Sequence, residues 1–183
     1  MFQNDRPAND LRLGDHGAVP KVSVATSSEA PILAELQRRS ALAAYGHIFP
    51  PEAPSPTFEG LLSRWQSWLS SEQFTGFFAE ICNQPVGVVL AGGDPMQASV
   101  GHLARMYLAP ERWGQGIGGV LYVVAVDHLR NAGYEEATLW VLEGNDRARR
   151  WYERLGWVAT GERKSVYKPA AIDELRYKRL LAD

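Results

Sequence analysis

The chain has one cysteine, Cys82, so no intrachain disulfide can form and a cysteine-based zinc site is excluded. Charge of one sign is lacking too. Nineteen basic against 21 acidic residues leave a formal net charge of −2, too little for a global field that would hold nucleic acid or an anionic membrane. Any polyanion must therefore meet a local site. No long hydrophobic run occurs: the longest uncharged apolar-leaning stretch, Gly116 to Val126, falls well short of the ~18 residues that a spanning helix needs. His16 and His128 have no partner at metal-ligand spacing and no Asp/Glu/His cluster stands out, so no metal is expected. Met1 to Pro20 carries Asp5, Arg6, Asp10, Arg12 and Asp15 around no apolar core, which does not read as a secretory leader, and the cytoplasm is the expected compartment.

What is present is ordinary globular material. The chain is 45% hydrophobic and 22% charged, which argues against wholesale disorder. At 183 residues it fits one domain of ~150 residues with a tail. Residues 1–20, with Pro7, Gly14, Gly17 and Pro20, are expected to form a weakly ordered polar arm, and residues 21–183 the domain.

From Lys21 the pattern becomes regular. Lys21 to Ala25 alternates as a strand. Ser28 is the expected cap of a helix with Glu29 and Pro31 in its first turn and Ile32, Leu33, Leu36 and Leu42 on its inner face. Ser55-Pro56 is expected to open a second helix carrying Phe58, Leu61, Leu62, Trp65, Trp68 and Leu69. Thr75 to Cys82 and Val86 to Ala91 read as a hairpin turning at Asn83-Gln84-Pro85. Gly92 to Pro95 reads as a loop and His102 to Leu108 as a strand. Gly116 to Asn131 reads as a long helix with Ile117, Val120, Leu121, Val124 and Leu129 inward, closed by Gly133 in a left-handed cap. Glu136 to Leu142 is then a strand, Asn145 to Leu155 a helix stopped by Gly156, and Trp157 to Arg163 and Ile172 to Leu180 the last two strands. This order gives an α/β (α+β) domain around one mixed sheet.

The densest chemical signal is Trp113-Gly114-Gln115-Gly116-Ile117-Gly118-Gly119, between a strand and a long helix. Alternate glycines let backbone N–H groups converge without Cβ obstruction, and the helix N-terminus adds partial positive charge, which together suit a phosphate or pyrophosphate. Gly114-x-Gly116-x-x-Gly119 also matches the dinucleotide fingerprint, with Glu143 ending the next strand as a ribose-binding acid. Such a domain needs several further parallel strands, however, and the chain after Glu143 reads as one short helix and two terminal strands. No Gly-Lys-Ser/Thr occurs, which excludes a Walker-type site. The second signal is Asn145, Ala148 and Tyr152, which share one helix face at i, i+3 and i+7. Their bland reading is a cap, a small packing residue and a core aromatic.

Together the two segments resemble the GNAT superfamily of acetyl-CoA-dependent N-acetyltransferases. Trp113-x-x-Gly116-x-Gly118 matches its Gln/Arg-x-x-Gly-x-Gly/Ala loop, and Asn145, Ala148 and Tyr152 match its Asn-x-x-Ala-x-x-x-Tyr motif. The resemblance runs from about Lys21 to Leu181 and is strongest from Leu103 to Trp157. It implies a mostly antiparallel sheet of about seven strands flanked by about four helices, with the two central strands splayed. It implies that the loop from Arg112 through Trp113, Gly114, Gln115, Gly116, Ile117, Gly118 and Gly119 takes the CoA pyrophosphate. Met106, Tyr107 and Leu108 would border the pantetheine arm, with a backbone N–H near Met106 or Leu108 facing the thioester oxygen. Asn145 and Ala148 would contact the same arm, and Arg147 with Arg149 or Arg150 the 3′-phosphate or adenine; a solvated basic face is the alternative reading of these arginines. Tyr152 would protonate the leaving thiolate. His102 stands where the family often has a carboxylate and is the expected base, with Glu80 in reserve; a packed structural histidine is the alternative. Trp113 departs from the family's Gln or Arg and offers no fork of donors to phosphate.

The resemblance therefore implies acetyl transfer from acetyl-CoA to a small-molecule or peptide amine, with no metal, nucleic acid or membrane partner. A homodimer is compatible with it. The other readings are a non-catalytic acyl-CoA-binding sensor or interaction domain of the same fold, and a Rossmann-type dinucleotide binder.

Overall fold

The computed structural model describes residues 19–181, so the expected N-terminal arm lies outside the described residues except for Val19 and Pro20. Seven strands form one sheet: β1 (Lys21–Val24), β2 (Phe74–Ile81), β3 (Gln84–Asp94), β4 (Gln97–Leu108), β5 (Glu136–Leu142), β6 (Val158–Tyr167) and β7 (Ile172–Leu180), in the order β1-β2-β3-β4-β5-β7-β6. Four α-helices accompany it among the described residues: α1 (Ala30–Tyr45), α2 (Phe58–Leu69), α3 (Ile117–Asn131) and α4 (Asp146–Arg154). Every strand pair is antiparallel except β4 with β5, which are joined through α3 as a parallel pair requires. One parallel pair is incompatible with the doubly wound sheet of a dinucleotide-binding domain, so that reading of the glycines is overturned.

The apolar run Val86 to Ala91 has no polar alternation because β3 is covered on both sides. Val88 and Leu90 pack with Leu33 of α1 and Leu61 and Trp65 of α2, all nearly inaccessible. Val89 and Ala91 pack on the other face with Leu121 and Leu129 of α3, Leu103 of β4, Leu139 of β5 and Tyr177 of β7. No helix among the described residues is long and apolar enough to cross a membrane.

Several local expectations are corrected. Thr26, not Ser28, caps the segment leading into α1: the Glu29 carboxylate accepts from the Thr26 N–H at 2.7 Å in a capping box. Thr57, not Ser55, caps α2 by accepting from the Gly60 N–H at 3.1 Å. The inner face of α1 is Ala30, Leu33, Ala34, Leu36, Gln37, Ser40 and Ala41, so Leu33 and Leu36 point inward as expected, whereas Ile32 and Leu42 are 43% and 49% exposed. Small residues sit inward because α1 packs closely on α2 and the sheet. In α3, Tyr122, Ala125 and Val126 take the buried places, and Val120 and Val124 are only half-buried.

The β2–β3 hairpin turns on Cys82 and Asn83, both at positive φ (50° and 59°), as a two-residue turn does. Cys82 is exposed there rather than filling an apolar gap. Gly92 to Asp94 is strand, not loop. A Cβ on Gly92 would lie 1.9 Å from the Gln73 carbonyl oxygen, so glycine here permits close backbone approach.

Gly92→Ala is therefore expected to cost about 3 kcal/mol, the upper part of the overpacking range. Gly114→Ala, where φ is +80° and nothing lies within 4 Å, is expected to cost about 1 kcal/mol. Urea midpoints of the two variants measure the difference, and equal losses would contradict the role given to Gly92.

Candidate active site

β4 and β5 pair at only two positions, Gly101 with Ala137 and His102 with Thr138. Beyond them the strands separate, and the β4 edge facing β5 from Leu103 to Leu108 has no strand partner among the described residues. A register shift against β3, between Leu90–Arg105 and Ala91–Leu103, leaves Ala104 as a bulged residue. After the bulge Met106 and Leu108 face α3, and Tyr107 faces α1 and α2. Two cavities lie on either side of this strand: a groove of about 820 Å³ that includes Met106 and Leu108, and a cavity of about 720 Å³ that includes Tyr107.

The groove runs between the glycine loop and α4. Gly114 and Gly116 adopt φ of 80° and 81°, which only glycine takes without strain. The backbone N–H groups of residues 114–118 have no backbone acceptor among the described residues, as expected where a helix begins. A Cβ on Gly118 would come 3.3 Å from Leu108 Cδ1 and narrow the groove floor. Trp113, Gly114, Gly116, Gly118, Gly119, Asn145 and Ala148 all border the groove. Arg112, Gln115 and Ile117 do not. Gln115 accepts from Arg112 at 3.4 Å and donates to the Glu111 carbonyl at 3.0 Å, bracing the loop from outside. Ile117 is core. The Trp113 ring is pinned by donation from Nε1 to the Leu108 carbonyl at 3.1 Å, and the Arg147 guanidinium lies 4.6 Å from its centroid.

Asn145 caps α4, its Oδ1 accepting from the Ala148 N–H at 3.2 Å. Arg147, Arg150 and Arg154 line the groove, and Arg147 and Arg154 have no acidic partner among the described residues. Arg149 turns away and donates to the Glu143 carbonyl at 3.0 Å and the Tyr177 hydroxyl at 3.2 Å. Tyr152, 8% exposed, directs its hydroxyl at Met106 Sδ, 3.9 Å away. Burial, reinforced by the nearby Tyr122 and Tyr107, pushes its pKa well above that of free tyrosine, so it holds its proton at neutral pH.

The second cavity is walled by the end of α1, the proline-rich stretch 49–56, the start of α2, and residues of β4 to β7. Its polar groups are unevenly held. Gln37 accepts from Trp65 Nε1 at 2.9 Å and donates to the Tyr107 hydroxyl at 3.0 Å, which fixes that phenol. Burial raises the pKa of both Tyr45 and Tyr107, and the Glu174 carboxylate adds to each. Lys164 Nζ lies 2.8 Å from Glu174. Phe49 stacks between Tyr45 and Tyr167, with centroids 6.4 and 6.3 Å apart.

His102 borders neither cavity. It is 5% exposed, with Nδ1 2.9 Å from Thr138 Oγ1. The Thr138 hydroxyl donates to Asp94 Oδ2, which also receives Arg176 Nη2 at 2.7 Å. With the threonine proton committed to Asp94, His102 Nδ1–H must be the donor to Thr138. Burial lowers the His102 pKa from 6.5 to about 4 against the pull of Asp94, so the ring is neutral at pH 7. Glu80, paired with Lys21 and Pro85 toward the β1 side of the sheet, also borders neither cavity. Sequence reading missed Arg64 and Glu174, which line the second cavity from α2 and β7. Only the alternation Ile172-x-Glu174-x-Arg176 hinted at a polar face there. No group of three or more His, Cys, Asp or Glu residues among the described residues could hold a metal ion.

The model of the acetyltransferase (GNAT) family matches residues 40–157. A mycothiol acetyltransferase of Thermobispora bispora is 34% identical over 113 residues, 59% of this chain and 38% of that protein. An uncharacterized N-acetyltransferase of Methanocaldococcus jannaschii is 30% identical over 112 residues, 58% of this chain and 48% of that one. The matches thus span less than half the length of these relatives. In fold, the chain is similar to the ribosomal-protein-S18-alanine N-acetyltransferase of Escherichia coli (TM-score 0.70, 17% identity, 90% of this chain and 96% of that chain). It is likewise similar to the PaiA N-acetyltransferase of Thermoplasma acidophilum in complex with coenzyme A (TM-score 0.69, 20% identity, 86% and 98%).

The buried histidine has a pH signature. Its folded pKa lies below its unfolded value, so above pH 6.5 both states are neutral and stability is complete. As pH falls from 6.5 to 4 the unfolded chain takes up a proton that the native ring refuses, and stability drops by about 3 kcal/mol. Burial of Asp94 is outweighed by its hydrogen bonds from Thr138 and the Met96 N–H and by the Arg176 cation, which hold that carboxyl below 3.8 and outside this window. Denaturation at pH 6.5 and 4 should therefore show a smaller loss for His102→Gln than for the wild type. Equal losses would mean that the ring is not the group responsible.

Proposed function

The chain belongs to the acetyltransferase (GNAT) family, and from that premise we propose that it moves an acetyl group from acetyl-CoA to a primary amine, by direct attack in a ternary complex in the cytoplasm. The observation that carries this reading is the pair of cavities on opposite sides of β4, next to the gap where β4 and β5 part. Each reactant would approach from its own side, and the reacting atoms would meet at the gap.

The unpartnered N–H groups of the glycine loop take the pyrophosphate, with Arg147, Arg150 and Arg154 in reach of the remaining phosphate. Trp113 carries no donor fork, but it holds the Arg147 guanidinium against its ring at the groove wall and so compensates for the missing Gln or Arg. The pantetheine arm lies along the unpaired edge of β4, near Asn145 and Ala148. A backbone N–H near Met106 or Leu108 meets the thioester oxygen, and such a preorganised donor is worth roughly 3–4 kcal/mol on the tetrahedral intermediate. The amine nitrogen bonds to the carbonyl carbon, the C–S bond breaks, the thiolate takes the Tyr152 proton, and the proton shed by the acylated nitrogen restores the phenol through water.

An alkyl ammonium of pKa ~10 costs about 4 kcal/mol to deprotonate at pH 7. We assign receipt of that proton to Glu174, directly or through water, because it lines the acceptor cavity and His102 does not. Cys82 lies in the β2–β3 turn, outside both cavities, which disfavours an acetyl-cysteine route. The groove-facing Tyr152 favours turnover over a purely sensing role.

Gly116→Asp brings bulk and negative charge beside the pyrophosphate and is expected to weaken CoA binding at least tenfold, about 1.4 kcal/mol, in a variant that stays folded. Calorimetry that finds unchanged affinity would remove the loop from the site. Tyr152→Phe keeps the ring and its packing but removes the proton, so kcat should fall of order 10²-fold with little change in KM for acetyl-CoA. Equal turnover at saturation, read as thiol release, would return Tyr152 to a packing role.

A further inference from the structure

The proposed function leaves the acceptor open; resting on that reading, the chemistry of the second cavity narrows it. Arg64 and Glu174 are the only charged residues lining this cavity among the described residues. They come from different elements, α2 and β7, and both act on the Tyr107 phenol, whose pKa is raised chiefly by burial, lowered by Arg105, raised by Glu174 and lowered by Arg64. Glu174 is already neutralised in part by Lys164 at 2.8 Å. Arg64 has no ion pair among the described residues. The remaining walls are mostly aromatic and aliphatic, with Tyr45, Phe49, Leu61, Leu142, Val166 and the run of Pro50, Pro51 and Pro54, and carry Gln37, Ser55 and Thr57 as uncharged polar side chains.

We propose that the acceptor is an amphoteric molecule with one amine, one carboxylate and an apolar body between them, of the class of apolar amino acids and short peptides. The amine sits by Glu174, Tyr45 and Tyr107, and the carboxylate meets Arg64 in a charge-assisted pair. A polyamine or an aminoglycoside fits poorly, because its second cation has no second carboxylate and faces the arginine instead. A volume of about 720 Å³ leaves room for an apolar body larger than one small side chain.

The probes are leucine and leucyl-leucine, the C-terminal amide of each, and spermidine, with acetyl-CoA and thiol release as the readout. The free acids should exceed their amides at least tenfold in kcat/KM, with spermidine the poorest. In Arg64→Ala the acid KM should rise about tenfold toward that of the amide, and Arg64→Lys should recover part of the preference, while KM for acetyl-CoA stays put. Equal rates for acid and amide, spermidine as the best acceptor, or equal damage to both probe types in Arg64→Ala would each overturn the inference. Thiol release with spermidine but without a carboxylate preference would sink this inference alone and leave acetyl transfer standing. Where no probe turns over, calorimetry on the CoA-saturated protein decides: tighter binding of leucyl-leucine than of its amide, lost in Arg64→Ala, sustains the inference, and equal or absent binding overturns it.

Discussion

β4 and β5 run side by side for two residue pairs and then diverge, and the gap depends on how those two pairs are held. At the last of them His102 and Thr138 are joined through their side chains, and Thr138 is tied in turn to Asp94 of β3 and through it to Arg176 of β7. Four strands are thereby cross-linked in a buried polar row at the vertex of the opening. Such a network is costly if one member goes missing, because a buried polar group left unpaired loses about 1–3 kcal/mol. The same row gives His102 a physical reason to be where it is without a part in proton transfer.

From that vertex onward one strand borders two cavities. The bulge at Ala104 resets the alternation of β4, so that Met106 and Leu108 look toward α3 and α4 while Tyr107 looks toward α1 and α2. Opposite faces of a strand are separated by a single backbone, so two molecules bound on either side can come within bonding distance only where no neighbouring strand fills the space. The charges are divided accordingly. Three arginines and one aspartate of α4 border the groove, whereas the other cavity has one acid and one base. A net charge of −2 over the whole chain conceals both arrangements.

The motifs that could be read from the sequence are those whose geometry is local. Gly114 and Gly116 need positive φ, Asn145 caps the helix that carries Ala148 and Tyr152, and Gly133 and Gly156 stop helices, all within a few residues of the groups they serve. Strand and helix order followed from periodicity for the same reason. Thr26 took the cap over Ser28 through a local capping box with Glu29, and Thr57 over Ser55 by accepting from the Gly60 N–H. Gly92 looked like a loop residue until Gln73, brought close by the β2–β3 pairing, showed why a side chain is excluded.

Sequence by itself determined the fold class, the family and the conformation of the glycine-rich loop, because each rests on backbone conformation and on spacings of three to seven residues that a chain cannot hide. Tertiary structure alone decided which charged groups line the two cavities. His102, Glu80, Arg149, Arg64 and Glu174 are all plausible when read in line. In the fold His102 and Glu80 border neither cavity, Arg149 is held by the Glu143 carbonyl, and Arg64 and Glu174 stand in a cavity wall. Side-chain direction in a strand reverses with every residue, so a one-residue bulge or a strand paired from across the chain changes which residues meet a ligand while leaving the local pattern unaltered.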